Sequence, residues 1–134
     1  MTKVGFVGLG LVGAERLAAV RALSSRFPDE RIETIGAIDP GVLHPSVTDP
    51  PVLFDGLPDL IAAEPDLVIV SVPHDVAVDV TTNLLRSGMR VHLEKPLGRS
   101  GDEARAITSA ASDPTRLTVG FNYRFLLGVT ALLE

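Results

Sequence analysis

The chain contains no cysteine and no tryptophan, and only one tyrosine. The first absence excludes disulfides, thiolate metal sites and thiol nucleophiles together, and it fits an expected cytoplasmic location. With aromatics at 4%, the core has to be built from Val, Leu, Ile and Ala, which suits a parallel sheet buried on both faces. No apolar run approaches the ~18 residues that a helical membrane span requires, so a soluble chain is expected. Basic clusters are missing as well. Formal net charge is −5, and arginines such as Arg86 and Arg90 stand singly, so no nucleic-acid partner is expected, because binding one requires clustered positive charge. Lys3 and the apolar residues up to Ala14 have the outline of a signal peptide, but four glycines and the Glu15-Arg16 pair argue against one.

What is present reads as a single domain. A length of 134 residues suffices to bury a core without staples, and 46% hydrophobic with 22% charged residues is a globular composition. Short β-branched runs alternate with amphipathic stretches. Strands are predicted at Val4–Val7, Ile32–Ile38, Leu67–Val72, Arg90–Leu93 and Arg116–Phe121. Helices are predicted at Leu11–Arg26, Asp75–Ser87 and from Ser100 to about Ala111, where Ser100 and Glu103 have capping-box spacing. Five prolines between residues 40 and 58 predict mostly loop, with at most a short helix at Leu57–Ala63. Leu126–Glu134 begins another helical pattern, on which Leu126, Leu127, Leu132 and Leu133 would form an apolar face. Such alternation specifies an α/β fold, a doubly wound parallel sheet with helices on both faces. Its ligands bind at the carboxyl ends of the strands.

Chemistry-bearing residues fall at those ends. Gly8-Leu9-Gly10-Leu11-Val12-Gly13 has G-x-G-x-x-G spacing between a strand and a helix. Gly8 permits the tight turn, Gly10 lets the backbone approach a pyrophosphate, and Gly13 lets helix and strand pack closely, while the helix N-terminus offers free N–H groups to the anion. The bland alternative is a glycine-rich turn that binds nothing. Asp39 follows the second strand, where an acid accepts hydrogen bonds from the adenosine ribose hydroxyls and repels a 2′-phosphate. It lies 31 residues after Gly8, against the usual ~20, and could instead be a turn acid before Pro40-Gly41. No arginine follows it directly, so NAD is expected rather than NADP. Glu94-Lys95-Pro96 ends the fourth strand. Lys95 could donate to a substrate oxygen and relay its proton during hydride transfer, or it could be an ordinary solvated lysine. Glu94 could orient it or touch the coenzyme, and Pro96 could carry a cis peptide.

Taken in order, the glycine fingerprint, Asp39, Pro65 to Pro73 (PDLVIVSVP), Glu94-Lys95-Pro96-Leu97 and Gly120-Phe121-Asn122-Tyr123-Arg124-Phe125 resemble the glucose–fructose oxidoreductase/inositol dehydrogenase/rhizopine-catabolism (Gfo/Idh/MocA) family over nearly the whole chain. The resemblance implies an NAD(P)-binding Rossmann domain at residues 1–125 and a catalytic role for Lys95. It adds Ser71, Val72, Pro73, His74, Glu94, Lys95, Pro96 and Asn122 to the coenzyme-binding residues, and makes Arg124-Phe125 the exit toward a second domain, with 126–134 beginning the linking helix. That second domain would supply the sugar or polyol pocket, a further acid/base group and a homo-oligomer interface. Family members often carry a His four residues after the proline matching Pro73. Here that position is Ala77, and the histidine is His74, equally readable as a cleft residue or as a helix-flanking one. Three functions are compatible with this pattern: hydride transfer to or from a sugar or polyol, a non-catalytic dinucleotide module, and transient NAD redox serving epimerisation, dehydration or glycoside cleavage.

Overall fold

The β-branched runs form the strands, and the glycines and prolines between them set where each ends. The computed structural model describes residues 1–125 and 131. Its elements are β1 (Thr2–Val7), α1 (Leu11–Arg26), β2 (Ile32–Ile38), α2 (Leu57–Ala62), β3 (Leu67–Val70), α3 (His74–Arg86), β4 (Val91–Glu94), α4 (Gly101–Ala110) and β5 (Leu117–Gly120), with short 3-10 turns at Pro28–Glu30, Pro114–Arg116 and Asn122–Phe125. The strands form one parallel sheet in the order β2-β1-β3-β4-β5. From β1 the chain crosses first to one side and then to the other. The carboxyl ends of β1 and β3 therefore flank the crevice where such sheets bind ligands. Apart from residue 131, the predicted helix over 126–134 lies outside the described residues, and so does its leucine face.

Each face of the sheet carries its own aliphatic core. On the α1 face, Val4, Phe6, Leu9, Leu17, Ala37 and Ile69 pack together. On the other, Val7, Val68, Val70, Val91 and Leu93 meet Leu84 and Leu85 of α3 and Ile107 of α4. Neither face needed a tryptophan.

Element ends moved for local reasons. β3 stops at Val70, short of the predicted Val72, although Ser71 N–H still donates to Val7 O at 2.8 Å. Pro73 then caps α3, which begins at His74 rather than Asp75. Gly88, at φ +81°, closes that helix: Gly88 N–H donates to Leu85 O and Met89 N–H to Leu84 O, the paired bonds of a Schellman ending. Only half of the expected capping box forms. Ser100 Oγ accepts from Glu103 N–H at 3.2 Å, but the Glu103 carboxylate accepts from Arg99 N–H at 2.7 Å instead of returning to residue 100, drawn one residue back by the Arg99 guanidinium. The proline-rich loop is pinned rather than loose. Ala37 N–H donates to Val52 O, Phe54 N–H donates to Ala37 O, and Leu53 bridges Ala37 beyond the β2 edge. A Cβ at Gly36 would lie 2.4 Å from the Phe54 ring, so a side chain there would displace this segment.

Candidate functional site

The glycine turn is built for two close approaches and one vacancy. Gly8 adopts φ +88°, and a Cβ there would stand 2.3 Å from Ser71 O. A Cβ on Gly13 would lie 2.0 Å from Gly8 O. Those two glycines let β1, β3 and α1 touch. At Gly10 nothing lies within 4 Å of a built Cβ, so its missing side chain serves the space outside the protein. α1 starts there without a side-chain cap, and among the described residues the N–H groups of Leu11, Val12 and Gly13 have no acceptor, as expected of an uncapped first turn. Ser71 Oγ is buried beside the same turn and, among the described residues, has no partner. Open backbone, free N–H groups and an orphaned hydroxyl fit the diphosphate part of a dinucleotide. Leu9 itself is fully buried in the α1-side core, so only its backbone reaches the turn.

Asp39 is brought beside this turn despite the long sequence separation, because β1 and β2 are neighbours. α1 and the Pro28–Glu30 turn take up the extra residues. Gly8 N–H donates to Ile38 O at 2.8 Å, and Leu9 N–H donates to Asp39 Oδ2 at 2.6 Å. Asp39 Oδ1 accepts from Gly41 N–H at 2.8 Å. The turn-acid reading is therefore realised, and the acid also braces the glycine loop, a contact the sequence reading did not foresee. Two bonds still leave a carboxylate free to accept more. His44 N–H donates to Leu9 O at 3.2 Å, tying the loop after β2 to the same turn.

Two cavities meet at Lys95. The first, about 150 Å³, is lined by residues that include Val12, Ser71, Val72, His74, Glu94 and Lys95. The second, about 490 Å³, is lined by Lys95, Gly120, Phe121, Asn122 and Tyr123. Lys95 is exposed, makes no ion pair among the described residues, and precedes Pro96 through a cis peptide bond. His74 is at once the first residue of α3 and part of the first cavity. Phe121 and Tyr123 leave apolar rings in solvent, at 51% and 79% exposure, and give the second cavity an aromatic wall that sequence reasoning left unassigned.

The sequence reading also missed what holds Glu94. Its carboxylate pairs with Arg16 Nε of α1 rather than with Lys95, and Arg16 Nη2 donates to Asn122 Oδ1 at 3.1 Å. His92 Nε2 lies 3.8 Å from Glu94 Oε1. No local signal marked Arg16, which is 78 residues from its partner. Half-burial pushes the His92 pKa below the usual 6.5, outweighing the pull of Glu94, whose charge Arg16 already engages. A histidine whose folded pKa is depressed disfavours the folded state once the unfolded chain can take up a proton. Stability is therefore expected to be constant above roughly pH 7 and to fall as pH drops below about 6.5. Thermal melts of wild type and His92→Gln between pH 5 and pH 8 would check this. The substitution should flatten the acid side of the curve, and parallel curves would contradict it.

Residues 2–121 match the family described as an oxidoreductase family with an NAD-binding Rossmann fold, Gfo/Idh/MocA. The chain belongs to this family. Its coenzyme is NAD by the same description. A 65-residue stretch, 48% of the chain, is 35% identical to inositol 2-dehydrogenase of Rhizobium meliloti strain 1021, covering 20% of that protein. Among solved structures, the WlbA dehydrogenase of Chromobacterium violaceum, in complex with NADH and UDP-GlcNAcA, superposes with a TM-score of 0.81 at 20% identity over 98% of this chain and 38% of that one. A putative myo-inositol dehydrogenase of Sinorhizobium meliloti 1021 gives 0.76 at 23% identity, over 93% of this chain and 37% of that one. The Gfo/Idh/MocA chain thus spans less than two-fifths of the length of these relatives. No helix among its described residues is long and apolar enough to cross a membrane.

Proposed function

We propose that this chain supplies the coenzyme half of an NAD-dependent oxidoreductase acting on a hydroxyl-bearing carbon of a sugar, polyol or cyclitol. The carrying observation is the place of Lys95 on the wall shared by two cavities, one reaching the glycine turn and the other the Phe121–Tyr123 aromatics. The similarity to an inositol dehydrogenase and to a structure holding a sugar-acid nucleotide supports a polyhydroxylated ring as substrate. When bound, the nicotinamide supplies a two-electron acceptor or donor of hydride.

The residues divide the remaining work. N–H groups of Gly10, Leu11, Val12 and Gly13 receive the diphosphate, with Gly8 and Leu9 shaping the turn and Ser71 Oγ as a further donor. Asp39 accepts from the ribose hydroxyls, and Pro40-Gly41-Val42 offers no cation for a 2′-phosphate. Val72, Pro73 and His74 wall the coenzyme on one side, and Glu94, Pro96 and Asn122 on the other. Lys95 Nζ takes the hydroxyl proton as a carbonyl forms, and returns it in the reverse direction. Residues 1–125 form the coenzyme unit, and 126–134 lead toward a substrate domain that also carries the second acid/base group and the contacts of a homo-oligomer.

Calorimetric titration tests this reading. NADH should bind more tightly than NADPH. Asp39→Asn keeps an acceptor for Leu9 N–H but loses the charge, and should weaken NADH about tenfold while narrowing the preference over NADPH. Folded protein that gives no heat with either coenzyme would sink the proposal. A panel of cyclitols and aldoses with NAD, offered to the protein that carries the substrate domain as well, then reports turnover through NADH absorbance.

A further inference from the structure

The α1 face of the sheet changes character part-way across. Over β2, β1 and β3 it is apolar, through Ala37, Val4, Phe6 and Ile69. Register then places His92 beside Ile69, Thr118 beside His92 and Gly120 beside Glu94, so the same face is polar over β4 and β5. Arg16 sits at that boundary. Its side chain is 24% exposed and that of Glu94 13%, so both partners are shielded, whereas Arg99 in the Arg99–Glu103 pair is 53% exposed and both partners of Arg105–Asp102 are more exposed still. A carboxylate this shielded needs its cation, because an unpaired charge there would lack solvation. Gly120 makes the room, since a Cβ on it would come within 2.9 Å of Glu94 Oε2.

One guanidinium therefore joins three segments that are distant in sequence. It springs from α1 one turn after the glycine fingerprint, bonds the last residue of β4 immediately before Lys95, and bonds Asn122 just past β5. Arginine suits this because its planar fork serves two acceptors at fixed relative positions, which a lysine ammonium does not. We propose that Arg16 is a positioning residue, whose fork between Glu94 and Asn122 sets the Lys95 turn against the glycine turn so that the nicotinamide half of the coenzyme docks between them. This rests on the coenzyme reading above. Arg16 touches neither the reacting atoms nor the diphosphate; it acts through Glu94 and Asn122.

Parallel titrations of the chain with NADH and with ADP-ribose, which lacks the nicotinamide, separate the possibilities. Wild type should bind NADH more tightly than ADP-ribose. Arg16→Met should weaken NADH about tenfold, toward the ADP-ribose value, and leave ADP-ribose within about twofold. Arg16→Lys should restore part of the loss, and in a Glu94→Gln background Arg16→Met should cost no more than about twofold, because the two residues act as one unit. The chain has only two lysines, Lys3 and Lys95, so lysine-selective NMR gives an independent readout. The Lys95 signal should respond differently to NADH and ADP-ribose in wild type and alike in Arg16→Met. Equal loss of both ligands in Arg16→Met would overturn the proposal, showing a diphosphate contact or a general loosening of α1. Unchanged NADH binding would overturn it too, as would wild type that binds the two ligands equally. Wild type that binds neither ligand instead refutes the coenzyme reading itself. If Arg16→Met fails to melt cooperatively, Arg16→Lys carries the comparison, and an NADH affinity in it equal to wild type while ADP-ribose is also unchanged would count against the proposal.

Discussion

Gly13→Ala should lose both stability and coenzyme, whereas Gly10→Ala should lose the coenzyme alone. At Gly13 the added methyl would stand 2.0 Å from the Gly8 carbonyl oxygen and 2.8 Å from its carbon. Both atoms are backbone and cannot swing aside, so α1 has to lift from β1. Overpacking of this kind costs about 3 kcal/mol or more, which for a chain of this size lowers the melting temperature by roughly 10 °C. The lifted helix also carries its free N–H groups away from the crevice, and NADH affinity should fall about a hundredfold. At Gly10 the backbone, with φ −63° and ψ −166°, accepts any residue, and nothing stands near the new methyl. The melting temperature of that variant should stay at the wild-type value or rise slightly, as Gly→Ala does where the conformation allows it. Its methyl nonetheless occupies the space in which the diphosphate would lie. Thermal melts paired with NADH titrations check both variants, and Gly10→Ala protein that binds NADH normally would remove the diphosphate from this turn.

Lys95→Met should leave folding and coenzyme binding nearly intact and remove turnover. The side chain is exposed and lies outside every ion pair among the described residues, so its loss opens no cavity and strands no charge. General acid–base assistance is worth about 10²–10⁴ in rate, and kcat should drop by that factor on whichever polyol the substrate panel identifies, with the NADH dissociation constant changed less than about threefold. Lys95→Arg should rescue little. Arginine can donate a hydrogen bond to the substrate oxygen, but it does not give up its proton and so cannot relay one. Equal kcat in wild type and Lys95→Met would end the assignment of Lys95 as the proton carrier.

The parts legible in advance share a common origin in local pattern. α1 and β2 begin and end where their apolar periodicity and flanking residues place them. Of the glycine fingerprint, the turn at Gly8 and the close packing at Gly13 read correctly, because a strand that turns directly into a helix imposes both locally. Less legible were segments whose partners are remote. Val52–Phe54 joins the β2 edge through Ala37 and the room at Gly36, which five prolines in the surrounding loop concealed. Glu103 shows the same limit at small scale, since a neighbouring guanidinium redirected its carboxylate from the expected cap.

Composition and spacing alone determined that this chain is an aliphatic, doubly wound α/β domain with a dinucleotide turn after its first strand. They also marked an acid, a lysine and a proline at the strand ends where ligands bind. Hydrophobic period and glycine placement are properties of consecutive residues, and a parallel sheet forces the strand ends to one side. Only the tertiary structure decided what those residues touch. Asp39 braces Leu9 across two adjacent strands, Glu94 turns away from Lys95 to Arg16, and Lys95 is left at the junction of two cavities. Pairings of that kind depend on strand order and on which face each side chain takes, and these are set when the whole sheet assembles.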